Sequence, residues 1–307
     1  MPVRDRLLAL LVALCWGVNF PATHLALEQF PPFTLAALRF TLLAVPTVLF
    51  VPRPAVPWRW LIGYGLGFGV AQFAFLYLAM AHGMPSGLAS LVLQCSAPAT
   101  VLLGALLLRE RLGRRQVIGV SVAVAALVGL AVVRAQAAAV LPVLLTVLGG
   151  IGWAFGNLAS RRARPDRPLA FLLWMSVVPP VPMALLALVV EGPHRIGRAF
   201  TSVSATAFGG LAYVVVFGSV VGGGIWTWLM SRYPSSRVAP FSMAVPAFGF
   251  ASSWLVLGEH LDPIELVLGG VVVAGVLWGM TTSRRKVVVT DPDAAVCPIG
   301  QPVTSTR

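Results

Sequence analysis

Apolar residues come in ten runs of roughly twenty, each closed by a short polar, proline-rich or arginine-bearing break. The runs cover about 7–27, 33–51, 60–80, 86–108, 116–133, 141–160, 168–190, 204–229, 236–257 and 265–282. A helix of about 20 apolar residues crosses the ~30 Å hydrocarbon core of a bilayer. The pattern therefore predicts an all-α membrane protein with ten transmembrane helices. Composition agrees: 58% of residues are hydrophobic and 10% charged, with a mean hydropathy of +0.88. A water-soluble fold of 307 residues has too little interior to hide that much apolar surface. The first run lacks the small-residue cleavage site of a secretory signal, and nine more runs follow it.

The net charge is +12, and its distribution changes the picture. With the N-terminus placed in the cytoplasm, Arg134, Arg195 and Arg198 fall outside and Arg39 falls within a run. Every other Lys or Arg falls inside. That asymmetry is the positive-inside pattern of a multi-pass protein with both termini cytoplasmic. It explains the basic balance without a nucleic-acid partner, since no basic patch with polar or aromatic context is present.

The halves of the chain resemble each other. Pro85-Ser86 precedes Glu110-Arg111-Leu112 at the same spacing at which Pro234-Ser235 precedes Glu259-His260-Leu261, 149 positions later. Trp16 and Asn19 are echoed by Trp153 and Asn157, with an offset nearer 137. Five runs per half is an odd number, so the second copy is inverted across the membrane. Inverted repeats are a transporter architecture, with the substrate site near the midplane.

Enzyme signatures are missing: the chain contains no HExxH, GxSxG or Walker A motif. Cys15 and Cys95 lie in apolar runs and Cys297 in the tail, without metal-knuckle spacing. The four histidines are scattered, so no metal site or cofactor is implied. The glycine run GYGLGFG at 63–69 misses the dinucleotide pattern, and Gly65 and Gly69 suit close helix packing instead. The informative residues are polar groups inside apolar runs, because lipid tolerates them only against a partner or a cavity. They are Asn19, Gln72, Gln94 and Asn157. A primary amide offers two donors and a two-lone-pair acceptor, which suits the ammonium and carboxylate of a small zwitterion. It equally suits helix–helix bonding, and both readings stay open. Ser86, Ser90 and Gln94 form one polar stripe. Trp16 and Trp153 are deep enough to wall a cavity, with Tyr213 a weaker candidate. Pro98 and Pro246 interrupt corresponding runs of the two halves. Such breaks either free carbonyls to line a cavity or simply kink the helix. None of the ten acids falls mid-run, so the usual carboxylate proton relay is absent. Arg39 is the single charge inside a run. It suits a substrate carboxylate, or it snorkels to the interface about two turns away; the structural role is favoured.

WGVNF, PPFTLAALRF, AQFAFLYLAMAHGMPSGLASLVLQ, RERL, WAFGN, RYPSSRVAPFSMAVP and LGEHL together resemble the EamA family of the drug/metabolite transporter superfamily. The resemblance spans both halves. It implies two inverted five-helix EamA repeats at 5–135 and 140–283. The segment 284–307 lies outside the resemblance, and its polar, proline-containing composition reads as a disordered cytoplasmic tail. The resemblance further implies an inner-membrane location, and the missing enzyme motifs leave no enzymatic activity to expect. The expected task is export of small amino acids or amino-acid metabolites of the O-acetylserine and cysteine kind. Asn19, Gln72, Gln94 and Asn157 match polar positions of that pattern. Where a second amide is expected two residues after the fourth-helix glutamine, this chain has Ser96, which re-tunes the pocket. Threonine-like amino acids, nucleobases or drugs remain alternative cargoes, and a membrane-embedded enzyme or sensor a remote one. The implied partners are a small zwitterionic substrate and the lipid bilayer, and oligomeric state is open.

Overall fold

The computed structural model describes residues 1–109, 112–136, 140–233, 235–260 and 262–280. The expected tail and Glu110 therefore lie outside the described residues. Among the described residues the fold is entirely helical, without a strand. Ten helices follow the apolar runs: α1 (Val3–Leu27), α2 (Pro32–Phe50), α3 (Trp58–Ala81), α4 (Ser86–Leu108), α5 (Arg114–Gln136), α6 (Val140–Ala163), α7 (Pro168–Ala199), α8 (Ala205–Arg232), α9 (residues 235–257) and α10 (Pro263–Met280). The first nine are long and apolar enough to cross a membrane, and α10 is apolar over its described residues. Proline opens α2, α7 and α10, where its missing N–H costs no intrahelical bond. Ser204 caps α8 through its side chain, which accepts from the Ala207 amide.

Helix ends in the structure lie up to four residues beyond the apolar runs, except in α7. That helix runs nine residues past the expected end and is broken at 176–179, where Pro179-Pro180 begins. The interruption belongs to the proline pair, which removes two amide donors and restricts the residue before it.

Successive helices cross in opposite directions, so five crossings return the second repeat upside down. The third and fourth helices of the two repeats share their irregularities. In α3, residues Gly65–Gln72 widen into a π-helix, and Val214–Val221 of α8 do the same. In α4, Leu93–Cys95 tighten into a 3₁₀ turn just before Pro98, and Ala239–Ala244 of α9 do so just before Pro246. The π segments repeat at the offset that separates Gln94 from Met243, 149 residues.

The repeats interlock through their first helices. In one direction α1 lies against α8 and α9: a Cβ on Gly17 would stand 2.5 Å from Phe248 Cβ, and Gly210 backs onto Ala22. In the other, α6 lies against α3 and α4. A Cβ on Gly67 would meet the Gly156 amide at 2.5 Å, and Gly150 abuts Cys95 and Ser96. Small residues let backbones approach where no hydrophobic driving force separates helix from lipid. One large core runs through this crossing, with Phe40, Tyr77, Leu88 and Val92 among its most buried members.

Candidate functional site

The approximate depth of each candidate follows from the ~1.5 Å rise per helical residue. Asn19, Gln72, Gln94 and Tyr213 each lie ~12–14 Å along their helices from the end at the face opposite the chain's N-terminus, close to half the thickness of a bilayer core. Trp16 and Trp153 lie ~15 Å from a face. Asn157 differs: it sits only ~9 Å from the N-terminal face.

Gln94 stands in the 3₁₀ turn of α4 and is 7% exposed. Its Nε2 reaches Ser242 O at 3.5 Å and Met243 Sδ at 3.7 Å, both in the 3₁₀ turn of α9. Met243 is its counterpart in the other repeat, so the two helix breaks face each other across the pseudo-twofold. The contacts are long and the acceptors weak, so the amide is only loosely engaged. Gln72 closes the π segment of α3 and is 4% exposed, and its Oε1 accepts no hydrogen bond. Its backbone packs on Gly149, while Gly150 packs on the Leu93–Ser96 turn. The Gly149-Gly150 step of α6 is thus wedged between the elements that carry Gln72 and Gln94.

Asn19 and Trp16 both address the π segment of α8. Trp16 Nε1 donates to Gly218 O at 3.0 Å, and its ring lies 5.1 Å from that of Trp226. Asn19 Oδ1 is pressed against Gly218, is buried and accepts no bond. Tyr213 donates to Cys15 O at 3.3 Å and stacks on Phe217. Trp153 mirrors Trp16 by packing on the π segment of α3, its ring 5.7 Å from Phe68. Asn157 donates to Thr100 Oγ1 at 3.1 Å, a contact between α6 and α4 that fully explains one donor.

The structure therefore brings Trp16 and Asn19 together on Gly218, and sets Gln72 and Gln94 on either side of one glycine step. Asn157 stands apart with a satisfied partner. The polar stripe of α4 is fully packed rather than open: Ser86 is 0% and Ser90 1% exposed, and Ser90 donates to its own helix at Gly87 O.

Two features escaped the sequence pattern. Arg39 does not snorkel. It is 5% exposed, donates to Tyr77 Oη at 2.7 Å and Ser219 Oγ at 3.0 Å, and lies 4.2 Å from the centre of the Phe73 ring. The physical reason is aromatic: Phe73 and Phe40 offer the guanidinium a quadrupolar face inside the bundle. The second feature is a pair of carboxylates that cap helices of the opposite repeat. Glu259 accepts from the Ser86 and Gly87 amides at 2.9 and 3.0 Å. Glu191 accepts from the Phe33 and Thr34 amides and from Thr34 Oγ1. Each neutralises the positive end of a helix dipole at the face opposite the N-terminus. At the other face, Tyr233 donates to Asp5, and that bond raises the phenol above its ordinary pKa. Among the described residues no group of His, Cys, Asp and Glu is arranged to hold a metal.

Comparison with known proteins gives this architecture a family. The chain is 38% identical over 281 residues to a "Probable amino-acid metabolite efflux pump" of Salmonella typhimurium, covering 90% of this chain and 94% of the relative. An Escherichia coli protein of the same description is 38% identical, with 89% and 93% covered. A "Probable terminal-alkyne amino-acid exporter" of Streptantibioticus cattleyicolor is 26% identical, with 90% and 94% covered. A solved crystal structure superposes with a TM-score of 0.60 at 20% identity, covering 91% of this chain and 96% of that one, which bears on the fold alone. The EamA-like transporter family matches twice, at residues 6–132 and 140–281, once on each repeat. The chain is thus a multi-pass transporter rather than an enzyme, and it belongs to the EamA-like transporter family.

Proposed function

We propose that the protein is a secondary exporter of small amino acids or amino-acid metabolites of the O-acetylserine and cysteine kind. It would sit in the bacterial inner membrane with both termini cytoplasmic and work by alternating access. The observation that carries this reading is the meeting of the two helix breaks, where Gln94 of one repeat faces Ser242 and Met243 of the other. Around it, Asn19 and Gln72 hold buried amide oxygens without donors. Such oxygens suit a substrate ammonium, because an unpaired buried acceptor gains most from a charged donor. Rocking one repeat against the other parts the two breaks without breaking either repeat's own helix ladder. The names of the relatives supply the substrate class.

In this reading Asn19, Gln72 and Gln94 bind the zwitterion, Trp16 and Trp153 wall it, and Tyr213 lies behind Trp16. Pro98 and Pro246 hold the two breaks open to movement. Asn157 contributes from the N-terminal side, once it exchanges Thr100 for cargo. The substrate list is tested in proteoliposomes with labelled cysteine, O-acetylserine and a panel of other amino acids, with and without a pH gradient. Saturable movement of an amino-acid-like solute is expected; none at all overturns the proposal. Gln94→Leu should abolish transport while the folded yield stays intact, and full activity would remove Gln94 from the site.

A second cargo class draws on Ser96. It is 5% exposed, its backbone amide lies beside Gly150 just after the break, and a serine there takes less space than the amide of the family pattern. Threonine-like amino acids, nucleobases and drugs belong in the same panel for that reason.

A further inference from the structure

Among the described residues, Arg39 is the buried charge farthest from either end of its helix, and its surroundings do not neutralise it. Its head group has five N–H donors. One Nη donates to Tyr77 Oη and the other to Ser219 Oγ, both neutral hydroxyls. The Nε–H is buried and has no acceptor. Among the described residues no carboxylate contacts it. Glu191, the acid bound to the same helix, is occupied by the amides of Phe33 and Thr34, ~8 Å back along α2. A guanidinium built only to join helices would be expected to have its donors filled by carbonyls or an acid. This one rests on aromatic faces and two hydroxyls instead.

Its position is as telling as its partners. Ser219 follows Gly218, the residue against which Asn19 Oδ1 is pressed. Phe73, whose ring faces the guanidinium, follows Gln72. Arg39 therefore contacts the chain neighbours of Gln72 and of Gly218, the glycine on which Asn19 packs. The first three helices thus hold one donor-rich cation and two buried amide oxygens without donors, the two kinds of group that a zwitterion needs. The Ser219 hydroxyl also has a second partner, the Val214 carbonyl at 3.1 Å, so releasing Arg39 would not strand it.

We propose that Arg39 is the anchor for the carboxylate of the transported solute, taking it in place of the Ser219 and Tyr77 hydroxyls. The planar guanidinium matches a carboxylate in two parallel bonds, and charge-assisted bonds outcompete bonds to neutral hydroxyls. The inference rests on the amino-acid reading of the cargo and adds the group that discriminates an acid from its neutral relatives.

Ligand-induced thermal stabilisation of the purified protein tests it, with cysteine and O-acetylserine set against their carboxamides. In the wild type the acids should stabilise at concentrations at least tenfold below the carboxamides. In Arg39→Gln that preference should collapse to within about twofold, with Arg39→Lys retaining part of it. A preference that survives in Arg39→Gln, or a wild type that binds acids and carboxamides alike, overturns the anchor and leaves the exporter reading intact. No response to any amino-acid-like solute overturns both. Should Arg39→Gln fail to fold, Tyr77→Phe decides. It removes a competing hydroxyl while keeping the charge, so acid binding should tighten several-fold with carboxamide binding unmoved. Unchanged or weaker acid binding overturns the proposal.

Discussion

Gln72 separates binding from mere helix bonding more cleanly than any other side chain. Its Oε1 is buried and unpaired, so it contributes nothing to helix association and leaves a polar group desolvated. Replacing it with an apolar side chain of similar length removes that penalty. Gln72→Met is therefore expected to leave thermal stability unchanged, or raise it by up to about 1 kcal/mol, while transport falls at least tenfold. Paired melting and transport assays on one preparation check this. Loss of stability together with activity would mean that the amide holds the fold. Glu259 carries the opposite expectation. Its carboxylate caps Ser86 and Gly87, and Glu259→Gln keeps the shape while losing the charge at a helix N-terminus. A loss of about 1 kcal/mol is expected, read as a lower melting temperature at neutral pH.

The irregular segments explain what regular helices leave unexplained. A π segment places one more residue per turn, which turns the wall of α3 toward Gly152 and Gly156 of α6. The same device in α8 turns Gly218 toward α1. The apolar periodicity of GLGFGVAQ and VVVFGSVV contains no sign of it, because both stretches suit a continuous helix. The 3₁₀ turns are better announced, by Pro98 and Pro246. The ends of α4 and α9 also correspond: each finishes in left-handed backbone, at Arg109 (φ 54°) and Gly258 (φ 67°). Only the second has the residue type that conformation favours. Arg109→Gly should accordingly raise stability by about 0.5–1 kcal/mol, seen as a higher melting temperature with transport retained. At the α3–α6 crossing the margin is smaller still. Gly67→Val would drive its side chain into the Gly156 backbone, and the folded yield should collapse.

Across the assembled bundle, each repeat's first helix is held by the third and fourth helices of the other, so motion of one repeat is motion against its twin. The closed contacts at the face opposite the N-terminus are Glu259 on Ser86 and Gly87, and Gly87 against Phe250. If transport requires these to part, locking them should stop it. A cysteine pair at Gly87 and Phe250, with Cys15, Cys95 and Cys297 replaced, is expected to lose transport on oxidation and regain it on reduction. Transport that persists with the pair fully cross-linked would exclude opening at this face.

The number of helices, their membrane character and the doubled architecture were legible along the chain. Those properties depend on local hydropathy and on spacing, which a linear pattern carries completely. The candidate amides were legible for the same reason, since a polar residue in an apolar run is conspicuous wherever it later packs. Partnership was not. Asn157 and Gln72 are equally conspicuous in sequence, yet one finds Thr100 and the other finds no acceptor partner, because the outcome depends on which residue of another helix comes opposite. Arg39 shows the same limit most plainly. Its distance along α2 permits a path to the interface, and only the aromatic faces of Phe73 and Phe40, with Tyr77 of α3 and Ser219 of α8, hold its charge inside the bundle.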